Sequence, residues 1–147
     1  MKKSLSPMVL SCALLCFAAV VGCHKTVTAP VPPPPPSLQS QVIGTWVMES
    51  AIDSSMNYGT AEKDTILFTS ADYVEFKADS TLAIMAKGIA YNGSWRIDSS
   101  KLFIAGTNYL DNPDGYELPI LDQHHLQLYY SQSNPGVYLE EKLNLSK

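Results

Sequence analysis

From Val42 to Lys147 the chain is a series of short runs rich in Val, Ile, Tyr, Phe and Trp, each cut by turn chemistry before a helix could develop. The cuts fall at Asp53-Ser54-Ser55, Ala78-Asp79-Ser80, Lys87-Gly88, Asp98-Ser99-Ser100, Asp111-Asn112-Pro113-Asp114-Gly115, Asp122-Gln123 and Ser133-Asn134-Pro135-Gly136. Such residues favour turns by permitting positive φ, by presetting φ or by bonding to their own backbone. Evenly spaced strands and turns are the mark of an antiparallel sandwich or barrel. These 106 residues are enough for one small domain around a single core.

Several runs alternate, so their faces follow from the period of two. Val74 and Phe76 oppose Tyr73, Glu75 and Lys77; Leu82 and Ile84 oppose Thr81, Ala83 and Met85; Trp95 and Ile97 oppose Ser94, Arg96 and Asp98; Leu126 and Leu128 oppose Gln127 and Tyr129. Strands are expected near 42–50, 64–69, 72–78, 81–87, 90–98, 101–106, 115–121, 124–131 and 136–145. Eight or nine strands of this length suit a small barrel, whose closure removes the unpaired edges that invite aggregation. Two stretches stay open: 50–63, where Met56-Asn57-Tyr58-Gly59 fits a loop, a bulge or a short helix, and Asn92-Gly93, a strong hairpin dipeptide that here falls inside a strand.

Ahead of this domain, Met1-Lys2-Lys3 leads into an apolar run from Met8 to Val21, with no acidic residue before Glu49. That is the charged start and apolar stretch of an exported protein, and a run of about 14 residues is short of the roughly 20 that span a bilayer. Val20-Val21-Gly22-Cys23 resembles the lipobox of bacterial lipoproteins, which implies a signal peptide over 1–22 and a diacylated Cys23, with palmitate-type chains holding the protein to the membrane. Cys12, Cys16 and Cys23 are the only cysteines. The mature domain therefore has no disulfide, no thiolate nucleophile and no cysteine-based metal site. Loss of Lys2 and Lys3 leaves eight basic against fourteen acidic residues, a net charge of −6. An acidic domain without a basic cluster is a poor partner for nucleic acid.

Residues 23–41 read as the lipidated cysteine and a spacer. Pro30 and Pro32–Pro36 are six of the ten prolines, and consecutive prolines favour polyproline II, a semi-rigid rod. No acidic cluster follows Cys23, and such clusters mark surface export in some lipoprotein systems. The expected location is the outer membrane, on its periplasmic side.

Gly44-Thr45-Trp46 on the first strand, the hairpin Tyr73-Val74-Glu75-Phe76-Lys77-Ala78-Asp79-Ser80-Thr81-Leu82, then Gly93-Ser94-Trp95-Arg96-Ile97-Asp98 and Leu102-Phe103-Ile104 resemble the small lipocalin-like lipoproteins of Gram-negative envelopes. The resemblance covers most of 42–147 and implies an all-β, up-and-down antiparallel barrel whose first-strand indole caps one end. The chain departs from true lipocalins in length and in its only arginine, Arg96, which lies mid-chain instead of on a late strand where it could stack on Trp46. Transfer of residue roles stops at Gly44 and Trp46.

Catalytic motifs are missing: there is no Gly-x-Ser-x-Gly, Ser-x-x-Lys, His-Glu-x-x-His or phosphate-cradling glycine loop. No enzyme activity and no cofactor are expected. His124-His125 would point to opposite faces of a strand, so a solvated turn suits them better than a metal. Asp111, Asp114 and Glu117 carry the oxygens calcium takes, yet Pro113-Asp114-Gly115 is equally what a turn needs. Eight tyrosines exceed the needs of a minimal core, and Tyr129 and Tyr138 on the wet face are the candidates for a contact surface. Two functions follow. One is binding of a small apolar ligand, with Trp46, Phe76, Ile84, Trp95 and Leu128 lining the interior; the other is docking of an envelope protein or glycan by a filled barrel.

Overall fold

A computed structural model describes residues 33–147; the stretch 1–22 expected to be a signal sequence, and Cys23, lie outside the described residues. Nine strands alternate with tight turns: β1 (Gly44–Asn57), β2 (Thr60–Leu67), β3 (Tyr73–Phe76), β4 (Thr81–Ala86), β5 (Ile89–Asp98), β6 (Lys101–Ala105), β7 (Asn112–Leu121), β8 (His125–Asn134) and β9 (Val137–Ser146). Each of β3 to β9 is antiparallel to its neighbour in sequence, β3 pairs with the start of β1, and β9 returns to β1. Eight strands thus close an up-and-down antiparallel barrel of the lipocalin-like kind, with β2 in addition.

The stretch left open at 50–63 is strand on both sides of a tight turn at Tyr58-Gly59. Asn57 pairs with Thr60 and Ser50 with Leu67, while Val47 pairs with Tyr73. β2 and β3 therefore run the same way along the same edge of β1, separated by a loop at 68–72. The upper halves of β1, β8 and β9 extend with β2 beyond the barrel as a four-stranded flap over its open end. Asn92-Gly93 lies inside β5 and Lys87-Gly88 makes the turn, as Asn92 pairs with Ala83. Gly93 is needed there because a Cβ would overlap the Ala105 carbonyl oxygen and the Thr107 methyl group.

The other end of the barrel is shut. The spacer expected through Gln41 instead ends in a short helix, α1 (Leu38–Val42), capped by the Ser37 hydroxyl oxygen, which accepts from the Ser40 amide at 3.2 Å. Val42 is fully buried, and its carbonyl accepts the Trp46 indole N–H at 2.7 Å. Lys147 takes the place over Trp46 that Arg96 could not fill. Its Nζ lies 3.9 Å from the ring centroid and donates to the Ile43 carbonyl at 3.1 Å, and its own amide donates to His124 O. A cation over an indole face is attracted by the ring quadrupole. Gly44, at φ +128°, lets that chain pass; a Cβ there would stand 3.1 Å from Lys147 Nζ.

Among the described residues, sixteen buried apolar side chains form one core cluster, including both tryptophans. Phe76 meets Trp95 edge-on at 5.5 Å, and the Trp95 indole N–H donates to Lys77 O at 3.0 Å. Both buried indoles thus find a backbone acceptor, which removes the cost of burying an unpaired donor.

Candidate functional site

The interior candidates Trp46, Phe76, Ile84, Trp95 and Leu128 are all no more than 3% exposed and interlock in the core. None of them borders the cavity at the open end. A barrel of eight short strands is just wide enough to be filled by its own side chains, so the hollow sits above the core, where the flap overhangs the mouth. It measures about 200 Å³. Larger but more open grooves, about 490 and 460 Å³, lie beside α1 at the closed end.

The mouth is built from four places. β1 contributes Met48, Ala51 and Asp53, and β2 with the loop after it contributes Ile66 and Phe68. The β6–β7 loop contributes Tyr109 and Leu110, Tyr116 comes from β7, and Glu141, Lys142 and Leu143 come from β9. The change from even to odd numbers along β1 has a specific cause. Pairing of β1 with β9 slips between Met48 and Ser50, with Met48 opposite Leu145 and Ser50 opposite Asn144. This bulge at Glu49 reverses the faces of everything beyond it. Asp53 turns inward and Ile52 outward, the opposite of what regular alternation from Trp46 gives.

Two carboxylates fix the rim, the buried Asp72 and the exposed Asp111. The Asp72 carboxylate accepts from the Thr69 amide at 2.8 Å, the Thr69 hydroxyl at 2.9 Å and the Lys87 amide at 2.5 Å, which ties the 68–72 loop to the β4–β5 turn. Those hydrogen bonds, the Thr69 and Lys87 backbone donors first, hold its pKa below the usual carboxylate range. On the opposite rim Asp111 accepts from the Thr107 amide and hydroxyl and from Gly106 N, while Thr107 Oγ1 accepts from the amides of Tyr109 and Leu110. The loop thereby holds Tyr109 stacked on Tyr91, centroids 5.0 Å apart. Burial raises the pKa of Tyr116, whose hydroxyl donates to Leu110 O at 3.3 Å.

The flap's inner face is acidic. Asp53 stands directly opposite Asp64 on β2 and Glu141 on β9, and Glu141 stands opposite Tyr130. Burial, and then the Asp53 charge, push the Glu141 carboxyl above its ordinary range. Among the described residues no cation is in ion-pair contact with any of these three carboxylates.

On the outer face of the flap Tyr129 and Tyr138 are half-buried rather than free. The Tyr138 hydroxyl donates to Glu140 Oε2 at 2.7 Å, Glu140 pairs with Lys142, and the Lys142 ammonium lies 5.6 Å from the Tyr129 ring. His124 and His125 sit in the exposed turn that Asp122 organises, with Asp122 Oδ1 accepting from both their amides. Asp111, Asp114 and Glu117 do not converge. Asp111 is spent on its loop, Asp114 accepts from the Tyr130 hydroxyl at 3.2 Å, and Glu117 lies exposed on β7. Arg96 pairs with Asp98 at 3.1 Å and covers the Phe103 ring.

The mouth residues escaped sequence reasoning because nothing in Met48-Glu49-Ser50-Ala51 announces a bulge. The one readable signal was Thr107 four residues before Asp111, the pattern of a side-chain-braced loop. No protein-family model, curated protein or solved structure matches this chain.

Proposed function

We propose that the chain is a lipid-anchored envelope protein, acylated at Cys23, whose lipocalin-like barrel binds a small, largely apolar molecule without acting on it. The observation that carries the reading is the cavity of about 200 Å³ at the mouth, floored by Met48, Phe68, Leu110 and Leu143. Ligand sites are concave and mostly apolar with a few placed polar groups, and those suited to larger ligands start near roughly 300 Å³. The mouth therefore suits a small ligand or one end of a longer one. The rim around it is pinned by Asp72 and Asp111, so the site is formed before anything enters.

Native mass spectrometry and lipid extraction of protein purified from its own envelope test this. A co-purified small molecule that is lost in Ala51→Phe, which fills the mouth, is the expected result. Its absence from the parent protein, with no small probe bound at the mouth, would end the reading.

The filled interior favours a second reading, in which the barrel is a scaffold and the flap's outer face docks an envelope protein or glycan. Tyr129 and Tyr138 are then the contacts, presented by their links to Glu140 and Lys142. Under that reading Tyr129→Ala with Tyr138→Ala abolishes capture of the partner in envelope cross-linking, while Ala51→Phe does not.

A further inference from the structure

The inner face of the flap places like charges directly opposite one another at two successive pairs, Asp64 with Asp53 and Asp53 with Glu141. Like charges in register on a sheet are destabilising. The nearest remedy would be a lysine on the same face, and the chain has one beside two of the three acids: Lys63 precedes Asp64 and Lys142 follows Glu141. Alternation sends both side chains to the other face: Lys142 borders the cavity between Glu141 and Leu143, yet its ammonium is engaged by Glu140. At the closed end Lys147 is committed to Trp46 and Ile43. Among the described residues the acids of the mouth thus have no ion-pair partner, and they stand beside an apolar cavity walled by the rings of Tyr109, Tyr116 and Phe68.

We infer that the mouth is selective for a small organic cation, an ammonium group joined to a short apolar body. The ammonium sits between Asp53 and Glu141, and the body lies over Met48, Phe68 and Leu143. This rests on the reading of the mouth as a ligand site and names its ligand class. Aromatic walls favour a cation as well, since an ammonium is attracted to ring faces. The partly buried Glu141, with its pKa pushed up, is a carboxylate whose charge lacks compensation, and a bound cation supplies it. A metal ion fits less well. The described residues contain no group of three His, Cys, Asp or Glu close enough to hold one, and half of the cavity wall offers no oxygen ligand.

The test uses three probes of one shape on the full-length protein in detergent: phenethylammonium, 2-phenylethanol and 3-phenylpropionate, each titrated by calorimetry. The ammonium should bind at least tenfold tighter than the alcohol, and the carboxylate should not bind. In Glu141→Gln the tenfold preference should collapse towards equality. Asp53→Asn serves as the second variant should the first fail to fold, and should narrow the preference likewise. Equal binding of ammonium and alcohol to the parent would overturn the cation preference and leave the mouth standing as an apolar site. No binding of any probe would remove both. Calcium chloride that binds by itself and displaces nothing organic, with its binding lost in Glu141→Gln, would overturn the organic cation in favour of a metal.

Discussion

Glu141 and Asp72 are both carboxylates near the open end, and their surroundings move them in opposite directions. Asp72 is held by donors, so its folded pKa lies below its unfolded one. Its contribution to stability is complete above the ordinary Asp range, near 3.9, and is lost as the pH falls through the lowered folded value. Glu141 is desolvated and faces Asp53, so its folded pKa lies above its unfolded one. Its charge weakens the fold at neutral pH, and that penalty fades as the pH falls through the raised value and is gone below the ordinary Glu range, near 4.3. Glu141→Gln should therefore be more stable than the parent at pH 7 in urea denaturation, with the gap closing by about pH 4. Asp72→Asn should be less stable at pH 7, and its acid limb should be shallower than the parent's. A less stable Glu141→Gln protein would mean that the carboxylate has a partner in the fold. Trp46 answers to packing instead. It is fully buried, its N–H is bonded to Val42 O and Lys147 covers its ring. Trp46→Ala should cost about 3–5 kcal/mol, read as a lower denaturation midpoint with an unchanged slope.

At the scale of elements, what was legible in the sequence is what obeys one period throughout. Val74 and Phe76, Leu82 and Ile84, Trp95 and Ile97, Leu126 and Leu128 each share the face that alternation assigned, and their registers are continuous with a neighbouring strand. The mouth was illegible because it lies beyond a break in period. One extra residue at Glu49 exchanges the two faces of β1, so Asp53, which alternation from Trp46 would put in solvent, is turned towards the cavity and onto Glu141. The loop at 68–72 likewise hides the fact that β2 and β3 follow one edge of β1. β2 also has one unpaired edge, the kind of template on which chains aggregate. Glu62, Lys63 and Asp64 guard it, all exposed. If two copies paired antiparallel about a two-fold axis, residues opposite one another would share parity. An axis at Lys63 then sets lysine on lysine and Glu62 on Asp64, and an axis at Asp64 sets aspartate on aspartate. Replacing the three residues with Thr, Val and Thr should produce concentration-dependent association in sedimentation velocity. A variant that stays monomeric at every concentration would show that the edge is shielded by something other than charge.

For the whole molecule, the two ends of the barrel are built differently. The chain comes out of the spacer into α1 and reaches the barrel at the end shut by Val42, Trp46 and Lys147. The bottom turns, among them 122–124, lie at that end, whereas the flap tips at Tyr58-Gly59 and Pro135-Gly136 lie beyond the mouth and touch each other through the Tyr58 amide and Gly136 O at 2.8 Å. An anchor at Cys23 acting through a proline-rich rod would draw on the closed end, with each extended proline adding about 3.1 Å of separation. The mouth would then face away from the lipid, open to molecules arriving from the aqueous side. The cysteine distribution makes this measurable. Under the proposed processing, which would remove Cys12 and Cys16 and acylate Cys23, an introduced cysteine would be the sole free thiol. A fluorophore at Gln123→Cys should be quenched strongly by a headgroup quencher in vesicles carrying the acylated protein. The same fluorophore at Tyr58→Cys should be quenched weakly, and the difference should vanish in Cys23→Ala, which stays off the vesicles. Equal quenching at both positions would mean that the barrel lies on its side at the membrane. Stronger quenching at Tyr58 would turn the mouth towards the lipid and make the bilayer the source of its ligand.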